Sequence, residues 1–232
     1  MKYLIKFSVV LFAAIVISTN AFATLITTES GYDGPTLDLS AYQNGSYNFT
    51  FGPEALPGGI TFTAAPGGGG NTGGGSVIGQ GSYGLAANGA FGGDAVYIGL
   101  NSSTGYADLT FDAEISFFGA FFNYAPGYGA PVISALDDGG GIIESWDLSI
   151  FAPISTPGGF NEFEFRGIDL GDNTFKTFRL GGSYILMAAT GDGNPDGGDG
   201  GNDDTSSIPE PSTLVIFSLG LIGVILRRRN KH

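Results

Sequence analysis

The sequence predicts an all-β fold, an antiparallel β-sandwich set between an N-terminal signal helix and a single C-terminal transmembrane helix. Three observations predict it. From 36 to 188 the chain is a succession of short β-prone runs cut by Gly, Pro, Asn and Asp, with no helical periodicity longer than a turn. Apolar stretches of helical length occur at the two ends, 7–17 and 214–226. None of the 232 residues is cysteine, so the fold rests on its hydrophobic core, which a domain of this length can bury without disulfides.

The N-terminal element justifies itself by its order of parts. Lys2 and Lys6 make a positive region, 7–17 is an apolar region broken only by Ser8, and Ala21-Phe22-Ala23 is an A-x-A cleavage site. This predicts a signal peptide over 1–23, use of the secretory translocon and signal peptidase, and Thr24 as the first mature residue.

The sandwich domain is then expected over 24–190. Two alternating runs, 46–51 and 59–63, flank the turn Pro57-Gly58-Gly59 and read as half-buried antiparallel strands. A Gly-rich stretch, 66–75, cannot pack a core and reads as a surface loop. Further strands are predicted at 94–100, 105–111, 114–124, 131–136, 141–150, 160–168, 174–180 and 183–188. Turn signals separate them, among them Asp137-Asp138-Gly139-Gly140-Gly141 and Gly171-Asp172-Asn173. The run 115–122, Ile-Ser-Phe-Phe-Gly-Ala-Phe-Phe, is apolar on both faces and is the predicted central strand.

Residues 191–207 form an acidic Gly/Asp-rich linker. Within it Asp192, Asn194, Asp196, Gly197 and Asp203 fall at positions 1, 3, 5, 6 and 12 of an EF-hand-like loop, which would hold Ca2+. Against that reading, Asp203 replaces the bidentate Glu, Pro195 interrupts the loop and Asp199 stands where an apolar residue belongs. A flexible spacer is the favoured reading, with no cofactor.

The C-terminal element, 208–232, has three parts: the motif Ile208-Pro209-Glu210-Pro211-Ser212, a membrane segment over 213–226, and the basic tail Arg227-Arg228-Arg229-Asn230-Lys231-His232. The apolar run 214–226 reaches only about 20 Å as a helix against a hydrocarbon core of about 30 Å. Arg227, Arg228 and Arg229 act as a membrane stop and hold that end in the cytoplasm. The tail resembles the PEP-CTERM sorting signal of Gram-negative bacteria that make extracellular polysaccharide. The resemblance implies an inner-membrane intermediate, recognised by an exosortase that cuts near Pro209, Glu210 and Pro211 and releases or transfers the exported domain.

A second resemblance is carried by Ile115-Ser116-Phe117-Phe118-Gly119-Ala120-Phe121-Phe122, Ile133-Ser134-Ala135-Leu136-Asp137, Phe163-Glu164-Phe165-Arg166-Gly167-Ile168 and Thr177-Phe178-Arg179-Leu180. It looks like the jelly-roll, galactose-binding-like sandwiches that often precede such tails.

Charge narrows the function. Of nine basic residues six lie in the targeting ends, leaving Arg166, Lys176 and Arg179; of 22 acidic residues only Glu210 lies there. Three cations against 21 acids give residues 24–207 a formal charge of −18. Nucleic acid is excluded as a partner by repulsion. His232 is the sole histidine, so nucleophile–imidazole catalysis and imidazole or thiolate metal sites are excluded from the domain.

Carboxylate chemistry survives that filter. Glu162 and Glu164 share one strand face with Arg166 and could act as a glycosidase pair, although such pairs face each other across a cleft; a solvated Glu-Arg face is the favoured reading. Trp146, Tyr124, Tyr128 and Tyr184 could stack on sugar rings, although most aromatics in a chain with 19 Phe and 10 Tyr belong to the core. The expectation is a non-enzymatic protein of the cell surface or extracellular matrix, structural or adhesive in association with exopolysaccharide or biofilm. The alternative is a carbohydrate-binding module or lectin, and behind it a carboxylate-based glycosidase.

Overall fold

Eight consecutive strands in the C-terminal half set the topology: β8 Val96–Leu100, β9 Gly105–Ile115, β10 Phe117–Tyr124, β11 Val132–Leu136, β12 Ile142–Asp147, β13 Glu164–Asp169, β14 Phe175–Gly181 and β15 Ile185–Ala188. The computed structural model describes residues 23–43, 46–66, 75–91, 96–156 and 163–188. One sheet runs β8-β15-β10-β13 and the other β9-β14-β11-β12, with every pair antiparallel. That order is a jelly roll, the double Greek key in which nearly every connection crosses from one sheet to the other.

The N-terminal half widens both sheets. β4 Ile60–Pro66 and β3 Glu54–Leu56 add to β9, giving a six-stranded sheet ordered β12-β11-β14-β9-β4-β3. β5 Ser76–Gln80 and β2 Asn48–Thr50 add to β8, and β1 Thr24–Ile26 adds to β13, giving a seven-stranded sheet ordered β1-β13-β10-β15-β8-β5-β2. A two-stranded ribbon joins β6 Tyr83–Gly84 to β7 Ala90–Phe91.

The core lies between the sheets because each strand alternates. Phe118, Ala120 and Phe122 of β10, Ile98 of β8 and Met187 of β15 point into the same cluster as Phe62 of β4, Leu109 of β9 and Phe178 of β14. The Phe118 and Phe178 rings meet edge to face at 4.8 Å. The predicted central run, 115–122, maps mainly to β10, an interior strand buried on both faces from Phe118 to Tyr124.

Three boundaries differ from the sequence reading. The run 114–124 is divided at Ser116: Glu114 and Ile115 finish β9 in one sheet, and Phe117 opens β10 in the other. The run 141–150 ends as a strand at Asp147, whose carboxylate accepts from the Ser149 N–H at 2.9 Å and starts the single helical turn α1, Leu148–Phe151. Strands β1, β3, β5, β6 and β7 lie in stretches that the sequence reading left unassigned.

Among the described residues no helix is long and apolar enough to cross a membrane. The signal segment 1–22, the linker 191–207 and the membrane segment 213–226 lie outside the described residues.

Candidate functional site

The two sheets turn different outer faces to their surroundings. On the six-stranded sheet the residues between the core positions are mainly polar, Val132 and Leu136 of β11 being apolar exceptions, and register sets them in rows. One row reads Thr63 (β4), Asp108 (β9), Arg179 (β14), Ser134 (β11) and Ser145 (β12). Beside it run Thr61, Thr110 and Thr177. Tyr106 lies two residues from Asp108 on the same face of β9. At about 4.8 Å per strand the five-strand row spans roughly 19 Å.

Arg179 is the centre of this face. Its Nε donates to Asp108 Oδ1 at 2.7 Å and its Nη2 to Asp108 Oδ2 at 2.8 Å, a bidentate pair. Its guanidinium carbon lies 3.7 Å from the centroid of the Tyr106 ring, in cation–π contact. The hydrogen bond to Asp108 raises the Arg179 pKa further above its ordinary value. Nη1 takes no part in the pair, and the side chain keeps 26% of its surface exposed. Hydroxyl pairs extend the face: Thr110 and Thr177 Oγ1 at 3.2 Å, Ser134 and Ser145 Oγ at 2.9 Å. A strand face of this kind offers fixed donors and acceptors at the spacing of its register, with a half-exposed tyrosine ring beside them.

The residues singled out from sequence are not gathered there. Arg166 is buried, which corrects the reading of a solvated Glu-Arg face: its guanidinium donates to the carbonyls of Phe165 at 2.7 Å and Ala152 at 3.2 Å, while Glu164 stays exposed at 3.5 Å. Burial lowers the Arg166 pKa, and Glu164 opposes that shift. Glu162 lies outside the described residues. Tyr124 is a core residue whose hydroxyl accepts from the Ile154 N–H at 3.1 Å. Trp146 packs partly against the core and meets Phe151 edge to face at 5.1 Å. Tyr128 and Tyr184 form a separate pair with ring centroids 5.5 Å apart, Tyr128 half exposed.

Asp137 makes the β11–β12 turn, its carboxylate accepting from the Gly141 N–H at 2.7 Å. Of the cleavage-site alanines, Ala23 is partly buried against the core next to β1, and Ala21 lies outside the described residues. So do Asp192, Asn194, Asp196 and Asp203 of the candidate calcium loop, and Pro209, Glu210, Pro211, Arg227, Arg228 and Arg229 of the tail. Among the described residues no group of three or more His, Cys, Asp or Glu side chains is placed to hold a metal ion.

Sequence reasoning missed the Tyr106–Asp108–Arg179 unit. The signal available was alternation: Tyr106, Asp108 and Thr110 occupy every second position of one strand, Thr177 and Arg179 of another. What the sequence lacked was the pairing of those two strands, 71 residues apart in the contact between Arg179 and Asp108.

The fold and tail together define the class: an exported jelly-roll sandwich that is anchored in the membrane before an exosortase processes it. A family profile described as the PEP-CTERM protein-sorting motif matches residues 207–229, so the chain carries that sorting signal. No curated protein and no solved structure matches the chain.

Proposed function

We propose that the exported domain is a non-enzymatic adhesive module of the cell surface or extracellular matrix, and that it holds a neutral, hydroxyl-rich polysaccharide against the outer face of the six-stranded sheet. The observation that carries this reading is the bidentate Arg179–Asp108 pair stacked on Tyr106 within a row of Ser and Thr hydroxyls. Sugar hydroxyls are donors and acceptors at once, and the row presents both. Each hydrogen bond contributes only about 0.5–1.5 kcal/mol net, so affinity comes from repetition along a polymer.

Charge selects the polymer class. With three cations against 21 acids in 24–207, the domain repels polyanions and tolerates neutral chains. A non-enzymatic role is supported by the sequence, which has no cysteine and whose one histidine, His232, follows the sorting motif. Both carboxylate oxygens of Asp108 are engaged by Arg179.

The test is co-sedimentation of the exported protein with exopolysaccharide from its host. Wild type is expected to sediment with the polymer, and Arg179→Ala or Tyr106→Ala to lose about ten-fold in affinity for about 1.4 kcal/mol removed. Equal binding by both variants would remove the face from consideration, and reducing-sugar release by the wild type would overturn the non-enzymatic reading.

A further inference from the structure

Four strands close the two large sheets, and they are not alike. β1, β2 and β3 are three residues long, whereas β12 runs for six, Ile142–Asp147. Very short edge strands are a common defence against unwanted pairing, and β12 lacks it. Its surroundings are apolar: Ile142 is 63% exposed, Ile143 43%, Ile150 69% and Phe151 49%.

The direction of its backbone groups follows from the ladder. Ser145 is registered against Ser134 and Asp147 against Val132, and the Leu148 N–H donates to the Pro131 carbonyl at 2.8 Å. Hydrogen-bonded and non-hydrogen-bonded pairs alternate in an antiparallel ladder, so Leu148, Trp146 and Glu144 bond β11. The N–H and C=O of Ser145 and Asp147 therefore point to the open edge, and a β-bulge opposite Ala135 and Leu136 ends the alternation at Ile143. Two contacts agree. The Ser134 and Ser145 hydroxyls meet at 2.9 Å, as suits the closer, non-hydrogen-bonded pair, and the Ser145 N–H is taken by its neighbour's carboxylate, Glu144 Oε1, at 3.0 Å.

We propose that β12 is a self-association edge: two copies pair their β12 strands antiparallel about a twofold axis at Ser145, joining two six-stranded sheets into one of twelve strands. Three observations select a second copy as the occupant.

The first is charge. With Ser145 opposite itself, Glu144 faces Trp146 of the other copy and Asp147 faces Ile143, so no carboxylate is set directly against another. An axis at Glu144 would place Glu against Glu, which is unfavourable.

The second is continuity. The polar row Thr63, Asp108, Arg179, Ser134 ends at Ser145, and the twofold continues it through the second Ser145 in reverse order. One uninterrupted face then carries two Arg179–Asp108–Tyr106 units.

The third is area. The exposed parts of the two isoleucines of β12 and of Ile150 and Phe151 set an upper bound of roughly 400 Å² a copy on the apolar area available, half of the ~800 Å² that a standard interface buries per partner, before the backbone ladder is added. That is the size of a reversible dimer. Both copies are strongly acidic, so the dimer tightens as salt screens their repulsion.

The absence of cysteine makes a direct test available. Directly opposed residues in a hydrogen-bonded antiparallel pair have Cα atoms about 5.5 Å apart, within disulfide range. In the exported protein recovered from its host, with no polysaccharide added, Ser145→Cys is expected to form a disulfide-linked dimer on mild oxidation. Thr110→Cys, at the middle of the same face, is expected to yield about a thousand-fold less, the ratio of millimolar effective concentration in a held pair to micromolar chance encounter. Adding Ile143→Asp to Ser145→Cys, which sets a carboxylate directly against Asp147 of the other copy, is expected to abolish the cross-link, while Glu144→Gln, which lowers the repulsion between copies, is expected to increase it.

A monomeric Ser145→Cys protein, or equal cross-linking at Ser145 and Thr110, would overturn the proposal. Either result is read without a glycan and leaves the polysaccharide reading to its own experiment.

Discussion

The outer faces of the two sheets are built by the same alternation and end in opposite states. Behind the seven-stranded sheet, Val77, Tyr97, Phe121, Phe165 and Leu186 form a second apolar cluster, covered by Tyr32, Tyr47, Phe49 and Tyr83. The chain folds its own N-terminal segments over that side. In front of the six-stranded sheet most of the equivalent positions are Thr, Ser, Asp and Arg; Ser134 and Asp108 are buried beneath their neighbours, Thr63, Thr110, Thr177 and Arg179 stay partly exposed, and none of these belongs to either apolar cluster. A covered face contributes stability and is closed to a partner; an open polar face contributes little stability and is free to bind. The division of labour between the faces is therefore a quantitative statement, and substitutions on each side should differ in what they change.

The largest effect is expected at the layer common to both faces. Phe118→Ala removes a fully buried ring from contact with Phe111 and Phe178 and should cost about 3–5 kcal/mol, read as a lowered midpoint in urea unfolding. It reports on the sandwich itself and does not discriminate between the outer faces.

The next effect belongs to the covered side. The Tyr83 hydroxyl donates to Asn101 Oδ1, and among the described residues the buried Asn101 Nδ2 has no partner. Tyr83→Phe leaves that amide wholly unsatisfied and should cost about 1–3 kcal/mol. A change within a few tenths would show that the amide reaches water, and that this side is less closed than its burial indicates.

Alkaline pH tests the same side collectively. Burial raises the pKa of Tyr32, Tyr83 and Tyr97 above the ordinary value of 10. The unfolded chain then loses protons that the folded chain keeps, so their contribution to stability is complete below pH 10 and declines as pH rises above it. Ultraviolet titration should show these three phenols ionising only together with unfolding. Simultaneous ionisation of all tyrosines in a folded protein would contradict the covered state.

This contrast explains what the sequence could and could not reveal. The jelly roll was legible because alternation and turn chemistry are local: Asp137 to Gly141 encode their turn, and 115–122 announces an interior strand by being apolar at every facing. The sorting tail was legible because its three parts are contiguous. The open face was not, because Thr63, Asp108, Arg179 and Ser134 come from four strands whose order is set by crossovers between sheets. Arg166 misled for a related reason. Its spacing from Glu164 correctly gives a shared strand face, and only the segment carrying Ala152 and Pro153, folded back over that face, makes it buried.

The smallest effect on stability is expected on the open face, and it separates the two sides most sharply. Thr110→Val deletes one member of a cross-strand hydroxyl pair and should change stability by only about 0.2–1 kcal/mol, since valine retains the β-branched shape that suits the strand. Asp108→Asn keeps an acceptor for Arg179 while removing the charge, with a similarly small expected change for a pair that remains partly solvated. Both variants should nevertheless weaken co-sedimentation with polysaccharide, Asp108→Asn more than Thr110→Val, because the carboxylate fixes the guanidinium that the polymer meets. A residue whose replacement leaves the urea midpoint in place and still reduces binding is positioned for a ligand. If both variants instead lower stability by more than about 2 kcal/mol, the row is a structural seam, and the two faces differ only in which side chains complete the fold.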